Sequence, residues 1–185
     1  MITLNSLADD LQLLTASGHP PVHLWEPEHH GDIDIVIQRD GSWLHEGGLI
    51  ERAALVKLFS SVLWFEGGQH FLKTPAEQMK ITVETTPFLM TQLKVQNART
   101  PEQELVLTSS YGDVVVLGES NPLWLEQSVV PGQEVPLVCV RYGMAGRLTS
   151  SILYELAELG EVVKGEKGEC LRVMSSGFTF DLPIA

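Results

Sequence analysis

Residues 25–43 read WEPEHHGDIDIVIQRDGSW. From Asp32 onward Ile33, Ile35 and Ile37 alternate with Asp34, Val36 and Gln38, the period of two expected of a half-buried strand. Asp40-Gly41 is a tight-turn dipeptide, and Trp43-Leu44 resumes the apolar pattern, so the stretch predicts two β-strands joined as a hairpin. Beyond Gly47-Gly48 the period changes. Leu55, Val56, Phe59, Val62 and Leu63 fall on one helical face, which predicts a helix over 53–65 ended by Gly67-Gly68.

Phe71-Leu72, Ile81–Val83 and Phe88–Val95 read as further strands, separated by Thr74-Pro75 and Thr86-Pro87. Glu104–Ser109, Val114–Leu117, Leu123–Glu126 and Val135–Arg141 continue the strand-rich habit, with a loop around Val130-Pro131-Gly132-Gln133. Tyr142–Gly146 then turns the chain toward Thr149-Ser150-Ser151, a good helix start, and Gly160 stops that helix near Leu159. Strands over Glu169–Met174 and Phe178–Leu182 follow. At the other end Leu4, Leu7, Leu11 and Leu14 recur at three- or four-residue steps before Gly18-His19-Pro20-Pro21, which predicts a short amphipathic helix.

Strand 33–38 leads to helix 53–65, and strand 135–141 leads to helix 150–159. The fold class expected is therefore α+β with two related halves, each an antiparallel sheet with a packed helix, plus the short N-terminal helix. The domains expected are 1–21 (helix and linker), 22–96 and 97–185.

The chain has 185 residues, 44% hydrophobic and 19% charged, enough to bury one sizeable core or two small ones. Twenty-four acidic residues against 12 basic ones leave a net charge of -12, a field that repels long nucleic acids and anionic membranes. The N-terminal segment lacks a basic run and an unbroken apolar stretch, so neither a signal peptide nor a membrane span is expected, and a cytoplasmic location is. Cys139 and Cys170 lie apart in strand-like stretches and read as small hydrophobes rather than a disulfide.

The densest set of potential metal ligands is His29-His30-Gly31-Asp32-Ile33-Asp34, with Asp32 and Asp34 on one side of a strand. The same residues also fit a turn cap and a solvated strand face, so a metal is left open. His45-Glu46-Gly47-Gly48-Leu49 starts like a zinc-protease signature and fails at Leu49, and no phosphate-loop or nucleophile-elbow motif occurs. Arg39 and Arg52 are informative in so acidic a chain, because an arginine just before a helix is placed to clamp a phosphate or carboxylate. Arg147 holds a comparable place before the second helix. Among the tryptophans, Trp25 and Trp43 come from irregular or turn-flanking segments and are candidates to line a cleft, whereas Trp64 reads as a helix packing residue.

The succession Trp25-x-Pro27, Gly31-Asp32-Ile33-Asp34, Arg39-Asp40-Gly41-x-Trp43, Ile50-x-Arg52, Leu55-Val56-x-Leu58-Phe59-Ser60, Thr74-Pro75-x-Glu77 and Pro87-Phe88 resembles a bacterial domain-of-unknown-function family. Gly112-Asp113, Asn121-Pro122-Leu123 and Ser176-Gly177-x-x-Phe180 extend the likeness over nearly the whole chain from about residue 20. The resemblance implies a duplicated two-domain protein, the second domain superficially like the pleckstrin-homology fold, with a signalling role and a nucleotide-like ligand near the domain interface. Asn121, Thr85 and the pair Trp64-Phe65 depart from the family pattern, the last replacing a more basic pair. The expected function is thus the binding of a small anionic, nucleotide-like ligand in an interdomain cleft lined by Trp25, Asp32, Asp34, Arg39, Trp43, Arg52 and Arg147, without catalysis. The alternatives are a metal-dependent hydrolase of a phosphorylated compound and a scaffold that docks a protein partner. No cofactor is specified by the sequence.

Overall fold

The computed structural model describes residues 19–127, 134–165 and 168–183. The helix expected over Leu4–Leu14 and the loop expected around Val130–Gln133 lie outside the described residues. The chain forms two compact units, the first ending at Pro87 and the second starting at Phe88. The boundary expected after residue 96 thus falls earlier, because strand Phe88–Gln96 pairs entirely within the second unit.

The first unit is one six-stranded sheet. Its strands are β1 (His29–Ile37), β2 (Trp43–His45), β3 (Gly48–Leu49), β4 (Leu63–Glu66), β5 (Gln69–Lys73) and β6 (Glu77–Val83), in the order β3-β2-β1-β6-β5-β4. The β1–β2 hairpin forms as the sequence predicts. Gly41 takes φ +87°, the Gln38 amide donates to Ser42 O at 2.9 Å, and the Ser42 hydroxyl donates to the Asp40 carboxylate at 2.6 Å. These Ser42 hydrogen bonds, side chain first and backbone second, hold the Asp40 carboxyl below its ordinary value.

Helix α1 (Ala53–Ser61) is shorter than the expected 53–65. Val62 caps it and Leu63–Glu66 leaves as a strand, because Gly67 and Gly68 at φ +58° and +77° form a two-residue hairpin turn rather than a helix stop. Val62 and Leu63 are still buried, as the helical periodicity demands, but beyond the helix, Leu63 from a strand. The core gathers on one face: Ile35, Ile37, Trp43, Phe59, Leu63, Leu72, Met79 and Ile81, with Trp43 stacked on Phe59 at 6.3 Å. Burying each large apolar side chain there is worth about 1.5–3 kcal/mol.

In the second unit β7 (Phe88–Gln96), β8 (Glu104–Ser109), β9 (Val114–Val116), β10 (Leu123–Gln127), β11 (Glu134–Arg141) and β12 (Met144–Leu148) form a six-stranded sheet in the order β10-β11-β12-β7-β8-β9. Helix α2 (Ser150–Leu159) occupies the span predicted, and β13 (Glu161–Gly165), β14 (Gly168–Ser175) and β15 (Phe178–Pro183) make a separate three-stranded sheet. The Ser175 hydroxyl, fully buried, accepts from the Leu105 amide at 2.9 Å and donates to Leu117 O at 2.7 Å, tying this small sheet to the edge of the large one.

Both large sheets are mixed, which corrects the expectation of antiparallel ones. β1 runs parallel to β6 and β12 parallel to β7, because each pair is joined by a long excursion rather than a hairpin. The order of elements does recur: hairpin, helix and three-stranded meander are β1–β2, α1, β4–β6 in the first unit and β11–β12, α2, β13–β15 in the second. In the first the meander joins the main sheet through β6, whereas in the second it stands as its own sheet.

Candidate functional site

Strand β1 settles the disposition of the residues singled out in the first unit. Asp32 and Asp34 share its exposed face, as the period of two requires, and Asp32 lies directly across from Lys80 on β6. Trp43, cross-strand partner of Ile37, is 1% exposed, so its ring belongs to the core and does not line a cleft. Trp25 follows the 3₁₀ turn Val22–Leu24 and is half-buried.

Arg39 and Arg52 come to one end of the sheet. Arg39 sits in the turn just past Ile37, which pairs with Trp43, and the Ile50 amide donates to Trp43 O at 2.8 Å, so the segment running into Arg52 leaves the sheet at that same end. Arg52 is the N-cap of α1. It is exposed and makes no side-chain capping hydrogen bond, while its carbonyl accepts from the Leu55 and Val56 amides at 2.9 and 3.1 Å. The Arg39 amide donates to the Glu84 carboxylate at 2.8 Å. Asp34 lies toward the opposite end of the hairpin, its carbonyl accepting from the Glu46 amide at 3.0 Å. Arg147 lies before α2 as the sequence places it, on β12 between Leu137 and Leu89.

Two polar clusters carry no signature in the sequence. In the second unit Arg141 Nε donates to Asp113 Oδ1 at 3.0 Å, and the Ser109 hydroxyl donates to Asp113 Oδ2 at 2.8 Å. The Arg141 guanidinium also lies 5.0 Å from the Phe88 ring, against which Tyr111 packs edge-on. Both charged side chains are largely buried, and an ion pair satisfied in this way fastens the β8–β9 turn to the end of β11. In the first unit Lys73, at the end of β5, is 7% exposed, with its ammonium 4.5 Å over the Trp64 ring. Trp64 is thus a strand residue of β4, not a helix residue. A lysine closing a strand ordinarily reaches solvent, so nothing in the local sequence signals this burial.

Among the described residues no group of three or more His, Cys, Asp or Glu side chains is placed to hold a metal ion. Cys139 and Cys170 are free thiols, the latter buried. No helix among the described residues is long and apolar enough to cross a membrane.

Residues 20–86 match the description "Domain of unknown function (DUF1285), N-terminal domain", and residues 87–182 match "Protein of unknown function (DUF1285), C-terminal domain". The chain belongs to the DUF1285 family. A crystal structure of a DUF1285 family protein from Silicibacter pomeroyi DSS-3, at 2.50 Å resolution, is 37% identical, with a TM-score of 0.84 over 95% of this chain and 93% of that one. A second, from Shewanella baltica OS155 at 1.40 Å, is 21% identical with a TM-score of 0.54 over 69% of this chain and 92% of that one, a likeness of fold alone. No curated protein matches the chain. The two DUF1285 segments meet within one residue of where the structure divides its two units.

Proposed function

We propose that this DUF1285 protein binds a small anionic, nucleotide-like molecule and serves as a ligand-responsive regulatory module rather than as an enzyme. The observation that carries the reading is the convergence of Arg39 and Arg52 at one end of the first sheet, beside the N-terminus of α1. The first turn of α1 has no acidic residue and no side-chain cap, so no side chain of its own offsets the leading amide N–H groups and the positive dipole end. Guanidinium groups and helix amides together suit phosphate oxygens. The chain's net charge of -12 disfavours a long polyanion but leaves room for a local basic point that takes a small one.

The test is a melting-temperature screen of the full chain against inorganic phosphate and nucleoside mono-, di- and triphosphates. A binder raises the melting temperature by mass action, and Arg52→Ala weakens the same binder about tenfold, the size of a lost charge-assisted hydrogen bond. A panel that leaves the wild type unmoved sinks the reading.

A further inference from the structure

The large sheet of the second unit ends on one side at β9, Val114–Val116, and among the described residues no strand pairs with its outer edge. The register of β8 with β9 sets which groups face outward. The Leu117 amide donates to Leu105 O at 2.9 Å and the Ser109 amide donates to Asp113 O at 2.8 Å, on either side of the pair Leu107 and Val115. Antiparallel ladders alternate, so the backbone N–H and C=O of Val115 turn toward β8 and those of Val114 and Val116 turn away from it. The side chains of the outer two are open as well, Val114 63% and Val116 37% exposed, whereas Val115 is buried in the core.

An open edge is ordinarily blunted by a charge, a proline or extreme shortness. The other edge strands of the described sheets follow that rule: β3 has two residues, β4 ends in Glu66, β10 carries Glu126, β13 carries Glu161 and Lys164, and β15 carries Asp181 and Pro183. Strand β9 has no such guard. It consists of three valines, a residue type enriched in strands, in a chain that has 24 acidic residues to place elsewhere.

The occupant that this edge fits is a second copy of itself. The sequence about Val115 is close to a palindrome, Gly112-Asp113-Val114-Val115-Val116-Leu117-Gly118. A two-fold axis through Val115 sets Val114 of each copy across from Val116 of the other, and Val115 across from its own counterpart. The two outward-facing pairs exchange two bonds each, about four backbone hydrogen bonds in all, and every side-chain pair across the axis is valine on valine. Charge fits the same arrangement. Asp113 is 4% exposed and held by Arg141 at 3.0 Å, so the strip carries no uncompensated charge, and the register places Glu119 across from Tyr111 rather than from a second Glu119. We propose that β9 is a self-association edge, at which a second copy of this chain adds its own β9 antiparallel and joins the two large sheets into one. A strand of three residues buries less than the roughly 1,200 Å² of a stable interface, so the dimer is weak and forms at high concentration.

The experiment follows the full chain by sedimentation equilibrium from about 10 μM to about 1 mM protein, in about 20 mM and about 500 mM sodium chloride, beside Val114→Lys and Val116→Pro. Both positions turn their backbone groups away from β8, so neither substitution takes a hydrogen bond from the single copy. Wild type dimerises toward the top of the range, and more tightly at high salt, because each copy carries a net charge of -12 that salt screens. Each variant weakens the association about tenfold or more, the size of one or two lost hydrogen bonds. Amide hydrogen exchange gives the signature of strand pairing: Val114 and Val116 gain protection as the concentration rises, while Val115, already turned to β8, does not. A wild type that stays monomeric, a dimer that either variant leaves intact, a dimer that loosens at high salt, or exchange at Val114 and Val116 indifferent to concentration each overturns the proposal. Should Val116→Pro melt lower than wild type, Val114→Lys decides alone, since the Val114 side chain already reaches solvent.

Discussion

His70 lies on β5 opposite Phe65, the two rings 4.8 Å apart, and partial burial lowers its pKa below the usual 6.5. The folded chain therefore binds this proton more weakly than the unfolded chain does. Stability from the neutral imidazole is present above about pH 6.5 and is lost as the pH falls below that value, where the unfolded state takes up the proton first. Melting temperatures at pH 7.5 and pH 5.5 should fall with acid in wild type, and fall less in His70→Phe. An equal acid loss in both proteins would assign the effect to other groups. What is legible at this scale depends on whether a residue's neighbours are local. The exposed face shared by Asp32 and Asp34 follows from the period of two. Trp43 beside a turn has the sequence context of a ligand contact, and only its pairing with Ile37 puts it in the core. Lys73 over Trp64 and Arg141 against Asp113 bring together residues from separate strands, so spacing along the chain carries no trace of either contact.

Elements are legible where the apolar period and the element end together. Helix α2 runs from Ser150 to Leu159 between Thr149 and Gly160, as predicted, although Thr149 makes no side-chain capping hydrogen bond and Gly160 leaves in extended backbone at φ −85°, so the apolar period rather than the caps sets its span. The periodicity of α1 overshoots its end by four residues (65 − 61), because Val62 and Leu63 continue the apolar spacing while the chain passes into a strand. Strand β12 is invisible to pattern because its small residues, Ala145 and Gly146, show no apolar alternation, although Tyr142 and Gly143 at φ +51° and +74° turn the chain straight back along β11. Glycines at these two kinds of place should respond differently to alanine. Gly68, at φ +77° with open space where a methyl would stand, should lose about 1 kcal/mol from backbone strain alone. Gly146 has ordinary backbone, but a Cβ there would stand 2.7 Å from Met90 Sδ and 2.9 Å from Val140 Cγ2, and the overpacking should cost about 1–3 kcal/mol. Urea unfolding of the two variants checks the assignments; a neutral Gly68→Ala would argue against the left-handed hairpin turn between β4 and β5.

At the scale of the molecule, the division at Pro87 and Phe88 separates two hydrophobic cores, one built around Trp43, Phe59 and Leu72 and the other around Phe88, Leu107, Val138 and Ile152. The repeated order of strand and helix is visible in the sequence, but the sheet that claims Phe88–Gln96 is not, since a strand's partner is decided by pairing that its own residues do not encode. Two cores imply that damage to one is felt first within its own unit. Phe59→Ala removes a fully buried ring stacked on Trp43 and should destabilise the first unit by about 3–5 kcal/mol. Hydrogen exchange followed by mass spectrometry should then show faster exchange in β1, β5 and β6, with protection in β7, β8 and β11 kept near wild type. Equal acceleration in both sets of strands would mean that the two units unfold as one cooperative body, and their cores would then have to be treated as a single source of stability.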